Sequence, residues 1–198
     1  MPGLREVQYY LAGLWLLIRM DPRGFRFLDV SERGVNRSFW AMVWCLPPMG
    51  ISWLWWRQAF LQTMPPHYDV GLPFYFRLGM VEIANWFVPL VLTGILLLIF
   101  KMGNRFAAVV VSVNWLGVPL SYINGLLLAL VFFIPGTVSI VSILLLILMI
   151  AQVFILARIL RMIFHGHGLM VGALTLALLV PTMMLAEYLQ KFLGIYPA

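Results

Sequence analysis

The stretch FKMGNRFAAVVVSVNWLGVPLSYINGLLLALVFFIPG, Phe100 to Gly136, decides the fold. Between Phe106 and Ile134 it carries no Asp, Glu, Lys or Arg. A helix crosses the roughly 30 Å of bilayer hydrocarbon with about 20 apolar residues. This run therefore predicts a membrane span with length to spare, taken up by tilt or by a bend at Pro119. Lys101 to Arg105 in front of it is a tight basic turn, and Pro135-Gly136 behind it is a turn signal without charge.

The same pattern continues on both sides. Toward the N-terminus, a second span is expected over Arg77–Phe100 and a first over Ser38–Leu61, interrupted by Pro47-Pro48. The first is rich in tryptophan (Trp40, Trp44, Trp53, Trp55, Trp56), a residue that favours the membrane interface. The loop between them, Gln62 to Phe76, holds Pro65-Pro66 and Pro73, which argue against regular structure. Toward the C-terminus, spans four and five are expected over Thr137–Ala157 and Leu169–Tyr188, separated by a basic loop from Arg158 to Gly168.

Composition points the same way. Of 198 residues, 63% are hydrophobic and 10% charged, against about 25% charged in a soluble domain. A chain this short cannot hide such an apolar excess in its own core, which leaves lipid as the solvent. The net charge of +6 would suggest nucleic acid in a soluble protein. In a membrane protein it follows from retention of Lys and Arg on the cytoplasmic side, so no nucleic-acid partner is expected. The single cysteine, Cys45, allows no disulfide within the chain and is expected as a small buried hydrophobe.

Before the first span, Leu4, Val7, Leu11, Leu14, Trp15 and Ile18 recur at helical spacing, opposite Arg5, Gln8 and Arg19. This predicts an amphipathic helix lying on the cytoplasmic leaflet, ended by Asp21-Pro22. A mixed-charge stretch follows through Arg37. The apolar run Tyr10–Ile18 is followed by Arg19, Asp21, Pro22 and Arg23 instead of small residues, so no cleavable signal peptide is expected. The sequon Asn36-Arg37-Ser38 falls on the expected cytoplasmic side and is read as chance. The organisation expected is a cytoplasmic segment 1–37 followed by a five-helix transmembrane domain 38–198.

Charge sets the expected direction. With the N-terminus inside, ten of the thirteen basic residues are cytoplasmic: Arg5, Arg19, Arg23, Arg26, Arg33, Arg37, Lys101, Arg105, Arg158 and Arg161. Arg57, Arg77 and Lys191 remain outside. This positive-inside bias predicts N-inside, C-outside in the cytoplasmic (inner) membrane.

Ionisable and amide groups inside a membrane are costly and mark candidate sites. Glu82 is expected about a turn below the outer entry of span two. Asn85, Pro89 and Thr93 follow it at offsets three, seven and eleven, on one helix face. Such a face is either a proton or ligand site or an interhelical hydrogen-bond network. In span three, Asn114, Gly117, Ser121, Asn124 and Gly125 form a second polar face, and Gly117, Ser121 and Gly125 make a small-residue row. The two faces are expected to pack against each other, since a short turn joins their helices. Arg57 and Glu187 lie near the outer ends of spans one and five, where with Glu82 they could form a cluster; Arg57 could equally snorkel to the surface. Gln152 is expected as a packing amide.

His165-Gly166-His167 supplies half of a tetrahedral zinc site with no Cys or Asp nearby to complete it. A basic loop near anionic headgroups is the plainer account. No nucleophile elbow, phosphate-binding loop, dinucleotide fingerprint or zincin helix occurs, so neither an enzyme nor a cofactor is expected.

The pattern resembles the Yip family of five-span membrane proteins. The likeness begins at LIRMDPRGFRFLD, similar to the amphipathic, proline-containing lead-in to that family's first span. It continues at FKMGNRFAAVVVSVNWLGVPL, with Val111, Val113 and Pro119 after a short basic turn, and at RMIFHGHGLMVGALTLALLVP. It covers about Leu14 to Pro181. The Asp-Leu-Tyr-Gly-Pro motif of eukaryotic members is absent, so the resemblance is to bacterial-type members and does not carry Rab binding. It implies a five-helix bundle with a cytoplasmic N-terminus. The function expected is a non-enzymatic scaffold or accessory subunit that meets lipid, other membrane proteins or further copies of itself. The alternative is a small transporter or channel with a polar path near Glu82 and Asn85.

Overall fold

The computed structural model describes residues 2–134 and 136–197, and the regular structure among them is helical throughout. Seven α-helices follow one another: α1 (Leu4–Ile18), α2 (Glu32–Ser38), α3 (Ala41–Gln62), α4 (Leu72–Ile99), α5 (Phe106–Phe133), α6 (Val138–Ile163) and α7 (Gly168–Phe192). Tighter 3-10 turns occupy Pro22–Phe27 and Gly103–Arg105. Four helices, α4 to α7, are long and apolar enough to cross a membrane. α3 has 22 residues, about 33 Å at the helical rise, but its tryptophans and prolines keep it less apolar than those four. Of the expected turn at Pro135-Gly136, the proline lies outside the described residues, and Gly136 takes positive φ (83°).

α5 is the centre of the bundle. Val109, Val110 and Val111 are all buried; three consecutive residues point more than half-way around a helix, so α5 must have neighbours on several sides. α3 lies along one side and α6 along another, while α4 packs chiefly on α7. Ser38 just before α3 bonds to Asn114, and Pro48 meets Gly125, so α3 and α5 run parallel. Trp86 bonds to Asn114 and Gly94 faces Phe106, so α4 runs antiparallel to α5.

This corrects the expected pairing of spans two and three. α4 and α5 meet sparsely, because the turn between them joins only their ends. The small-residue row of α5 instead serves α3 at its upper end. A Cβ on Gly125 would stand 2.7 Å from the Pro48 ring, closer than any real Cβ contact. Pro48 therefore seats directly on Gly125, and α3 continues through Pro47-Pro48 unbroken where an interruption was expected. Each proline removes a helical donor, and close packing of the ring helps offset that loss. Pro73 likewise does not prevent helix, since it sits in the first turn of α4, where its missing N–H would have no partner anyway. α4 thus begins at Leu72, five residues earlier than expected.

At the basic end, with the Lys101–Arg105 turn, α1 and α2 form a layer fastened to the bundle. α1 was expected to lie on the leaflet surface. Its inner face packs against α5 and α6, with Leu14 2% and Leu17 0% exposed, while Leu4, Tyr9 and Trp15 stay exposed. Tyr10 stacks on Trp115 of α5 at 4.6 Å between ring centroids, and its hydroxyl donates to Glu6 Oε1 at 2.9 Å. Glu6 in turn pairs with Arg37 of α2 at 2.6 Å. α1 ends with Met20 at φ 63°, Asp21 N–H donating to Leu16 C=O and Met20 N–H to Leu17 C=O, a Schellman closure. The charged stretch expected as a linker is ordered here. Ser31 caps α2 by accepting from Gly34 N–H at 3.2 Å.

At the far end a second, smaller core joins α3, α4 and the C-terminal segment through Phe60, Phe74, Leu78, Val81 and Ile195. Trp56 Nε1 donates to Ile195 C=O at 2.9 Å and Arg77 to Leu193 C=O at 2.9 Å.

Candidate functional site

The polar residues of four helices converge on one cavity of ≈ 180 Å³. α4 supplies Glu82, Asn85 and Trp86, α5 Asn114 and Gly117, α6 Gln152, and α7 Thr182. The early start of α4 changes the depth of Glu82. It lies ten residues in from Leu72, about 15 Å along the axis, and not one turn below the entry. The helical offsets that place Glu82 and Asn85 on one face of α4 aim both at this chamber. The sparse α4–α5 contact leaves it room.

Asn114 is bonded at both ends of its amide. Its Oδ1 accepts from Trp86 Nε1 at 3.0 Å and its Nδ2 donates to Ser38 Oγ at 2.8 Å. Ser38 Oγ in turn donates to Val35 C=O at 2.7 Å. This chain of bonds runs from α4 through α5 to the end of α2; of the residues on the two expected polar faces, Asn114 alone takes part in it. It also gives the sequon serine a buried structural role, Ser38 being 0% exposed. Asn85 is the opposite case: its Oδ1 is buried and unpartnered. The Oγ atoms of Thr93 and Ser112 share that condition.

Ser121 and Asn124 do not line the chamber. They line a second cavity of ≈ 460 Å³ between α5 and α6. The two cavities share Gly117, Leu120 and Gln152 as walls, so the polar face of α5 continues from one to the other. Gln152, expected as a packing amide, stands where they adjoin. The outer cluster of Arg57, Glu82 and Glu187 does not form. Arg57 pairs with Asp69 at 3.4 Å and Glu187 with Lys191, each an exposed partner close in sequence and cheaper to reach than a group inside the bundle.

Trp53, Trp86, Ser38 and Thr182 belong to the site and escaped the sequence reading. Trp53 approaches the Glu82 carboxyl from α3 and packs beside Gly79, though its Nε1 closes no regular hydrogen bond. A tryptophan in an apolar helix carries no mark telling a lipid-facing ring from a hydrogen-bonding one. The seven-residue offset between Thr175 and Thr182 on α7 was the one signal available for Thr182.

Among the described residues no group of three or more His, Cys, Asp and Glu could hold a metal ion. His165 and His167 instead line a shallow pocket with Lys101, Asn104 and Arg105 at the basic end. No protein-family model, curated protein or solved structure matches the chain.

Proposed function

We propose that this chain is a non-enzymatic, multi-pass protein of the cytoplasmic membrane, a Yip-type bundle of five spans that serves as a scaffold or accessory subunit. α3 is the fifth span in this reading. Its length of about 33 Å and its parallel course beside α5 support that. The N-terminus lies inside and the C-terminus outside, as the distribution of basic residues favours.

The observation that carries the scaffold reading is the N-terminal layer. α1 spends Leu14, Leu17 and Tyr10 on the bundle and still presents Leu4, Tyr9 and Trp15, each more than half exposed. At the level of lipid headgroups such residues anchor in the interface or meet a partner helix. Purification from native membranes in mild detergent should yield a stoichiometric membrane partner; a clean monomer would overturn the reading. A reporter fused after Ala198 should be active only outside the cytoplasm, and one inserted near Gly103 only inside.

The chamber favours a second reading, a small transporter or channel whose polar path passes Glu82 and Asn85. In liposomes this predicts a flux that folded Glu82→Gln loses. Flux equal to that of empty liposomes across many solutes would remove it.

A further inference from the structure

The chamber contains one carboxyl group and no Lys, Arg or His. The described ion pairs all lie elsewhere. An ionised carboxylate away from water is strongly disfavoured unless a cation or hydrogen-bond donors meet it. Hydrogen-bond accounting identifies what is missing. The Trp86 N–H and one N–H of Asn114 are already used, and Thr182 Oγ donates to Leu179 C=O. The acceptors left over on α4 are Asn85 Oδ1, buried and unpartnered, and the Glu82 carboxyl oxygens, which meet no cation in the described ion pairs.

We propose that the chamber binds a primary ammonium group, held between the Glu82 carboxylate and the Asn85 amide oxygen. The proposal rests on the chamber of the second reading as a binding site, and not on transport through it. An ammonium carries three donors and a positive charge, so it answers both acceptors at once. Protonation of Glu82 would remove the charge and supply a single donor, whereas an ammonium supplies a donor to each acceptor and pairs the carboxylate's charge as well. Indole faces attract cations, and Trp86 lines the chamber. Pro89, Leu90 and Leu156 make an apolar wall that suits a short hydrocarbon stem. The amine could be free in solution or could be the headgroup of an aminophospholipid reaching in from the bilayer.

The test is equilibrium binding of radiolabelled methylammonium to the full-length protein in phosphatidylcholine nanodiscs. Saturable binding at one site per chain is expected. Glu82→Gln and Asn85→Ala should each weaken it at least about tenfold, the lower bound for hydrogen bonds to a charged group. Potassium and tetramethylammonium, which offer no N–H donors, should compete at least about tenfold more weakly than methylammonium itself. Nanodiscs containing phosphatidylethanolamine separate the sources: weaker methylammonium binding there makes the headgroup the occupant, and equal binding makes it a free amine. If Glu82→Gln does not fold, Gly117→Leu fills the chamber from the opposite wall and should abolish binding without touching the carboxyl. No saturable binding to wild type, equal competition by tetramethylammonium, or undiminished binding in a folded Glu82→Gln or Gly117→Leu overturns the site. Methylammonium bound but not carried across liposomes would refute transport and leave the site standing.

Discussion

The basic end of the bundle and the chamber at its centre treat polar groups in opposite ways. At the basic end the charged and capping groups find partners, though the Ser112 hydroxyl does not. Glu6 accepts from both Tyr10 and Arg37, Ser31 caps α2, and Asn114 is bonded on both sides of its amide. A few residues away across the same helices, Glu82 has no cation and Asn85 Oδ1 has no donor. Two asparagines on facing helices thus have different work. Asn114 holds three segments together, and Asn85 contributes an open acceptor to a cavity. Saturated polar networks fix an arrangement, whereas unsatisfied ones cost stability and persist at sites that receive something.

The strongest way to break the comparison is to cut the apolar anchor of the saturated half. Leu17→Ala, at a site with no exposure, should cost about 3 kcal/mol by leaving a cavity between α1 and the bundle. Unfolding in mixed micelles of mild detergent and dodecyl sulfate would measure it. Asn114→Ala should cost about 2 kcal/mol in the same assay, since it strands the Trp86 N–H and takes away the donor to Ser38 Oγ. A cost near zero would mean the network does not hold the helices.

The Tyr10 phenol gives a pH test. Burial, helped by its hydrogen bond to Glu6, pushes its pKa up from 10.0 to about 12. The folded state therefore favours the neutral phenol. The stability this confers is fully present below about pH 10 and is lost as pH rises through 12. Tyr10→Phe should flatten that part of an alkaline unfolding profile; an unchanged profile would place the phenol outside the network. The smallest effect belongs to the chamber. Asn85→Leu should leave stability within about 0.5 kcal/mol of wild type or raise it, because it deletes an acceptor that has no partner. A loss as large as that of Asn114→Ala would erase the distinction between the two halves.

Much of the site was legible before any coordinates. The offsets of Glu82 and Asn85, and of Asn114 and Gly117, place each pair on one side of a helix, and both sides do face one cavity. Helix limits were legible where a run is bounded by charge, as at Phe106, and misjudged where proline stood in a first turn, as at Pro73. α6 runs six residues beyond Ala157 because Arg158 and Arg161 extend the helix past the apolar core without breaking it.

Periodicity and composition by themselves determined that the chain is helical, which helices are apolar enough for lipid, and which helix sides are polar. Those properties are local: an i to i+3 or i+4 repeat and a run of uncharged residues are complete within one segment. Tertiary structure alone decided that α5 takes α3 and not α4 as its close neighbour, that α1 is fastened into the bundle, and that Asn114 is paired while Asn85 is not. Each depends on a partner far along the chain. Ser38 lies 76 residues from Asn114, and whether a buried amide is satisfied depends on which distant donor the packing brings within 3 Å or so.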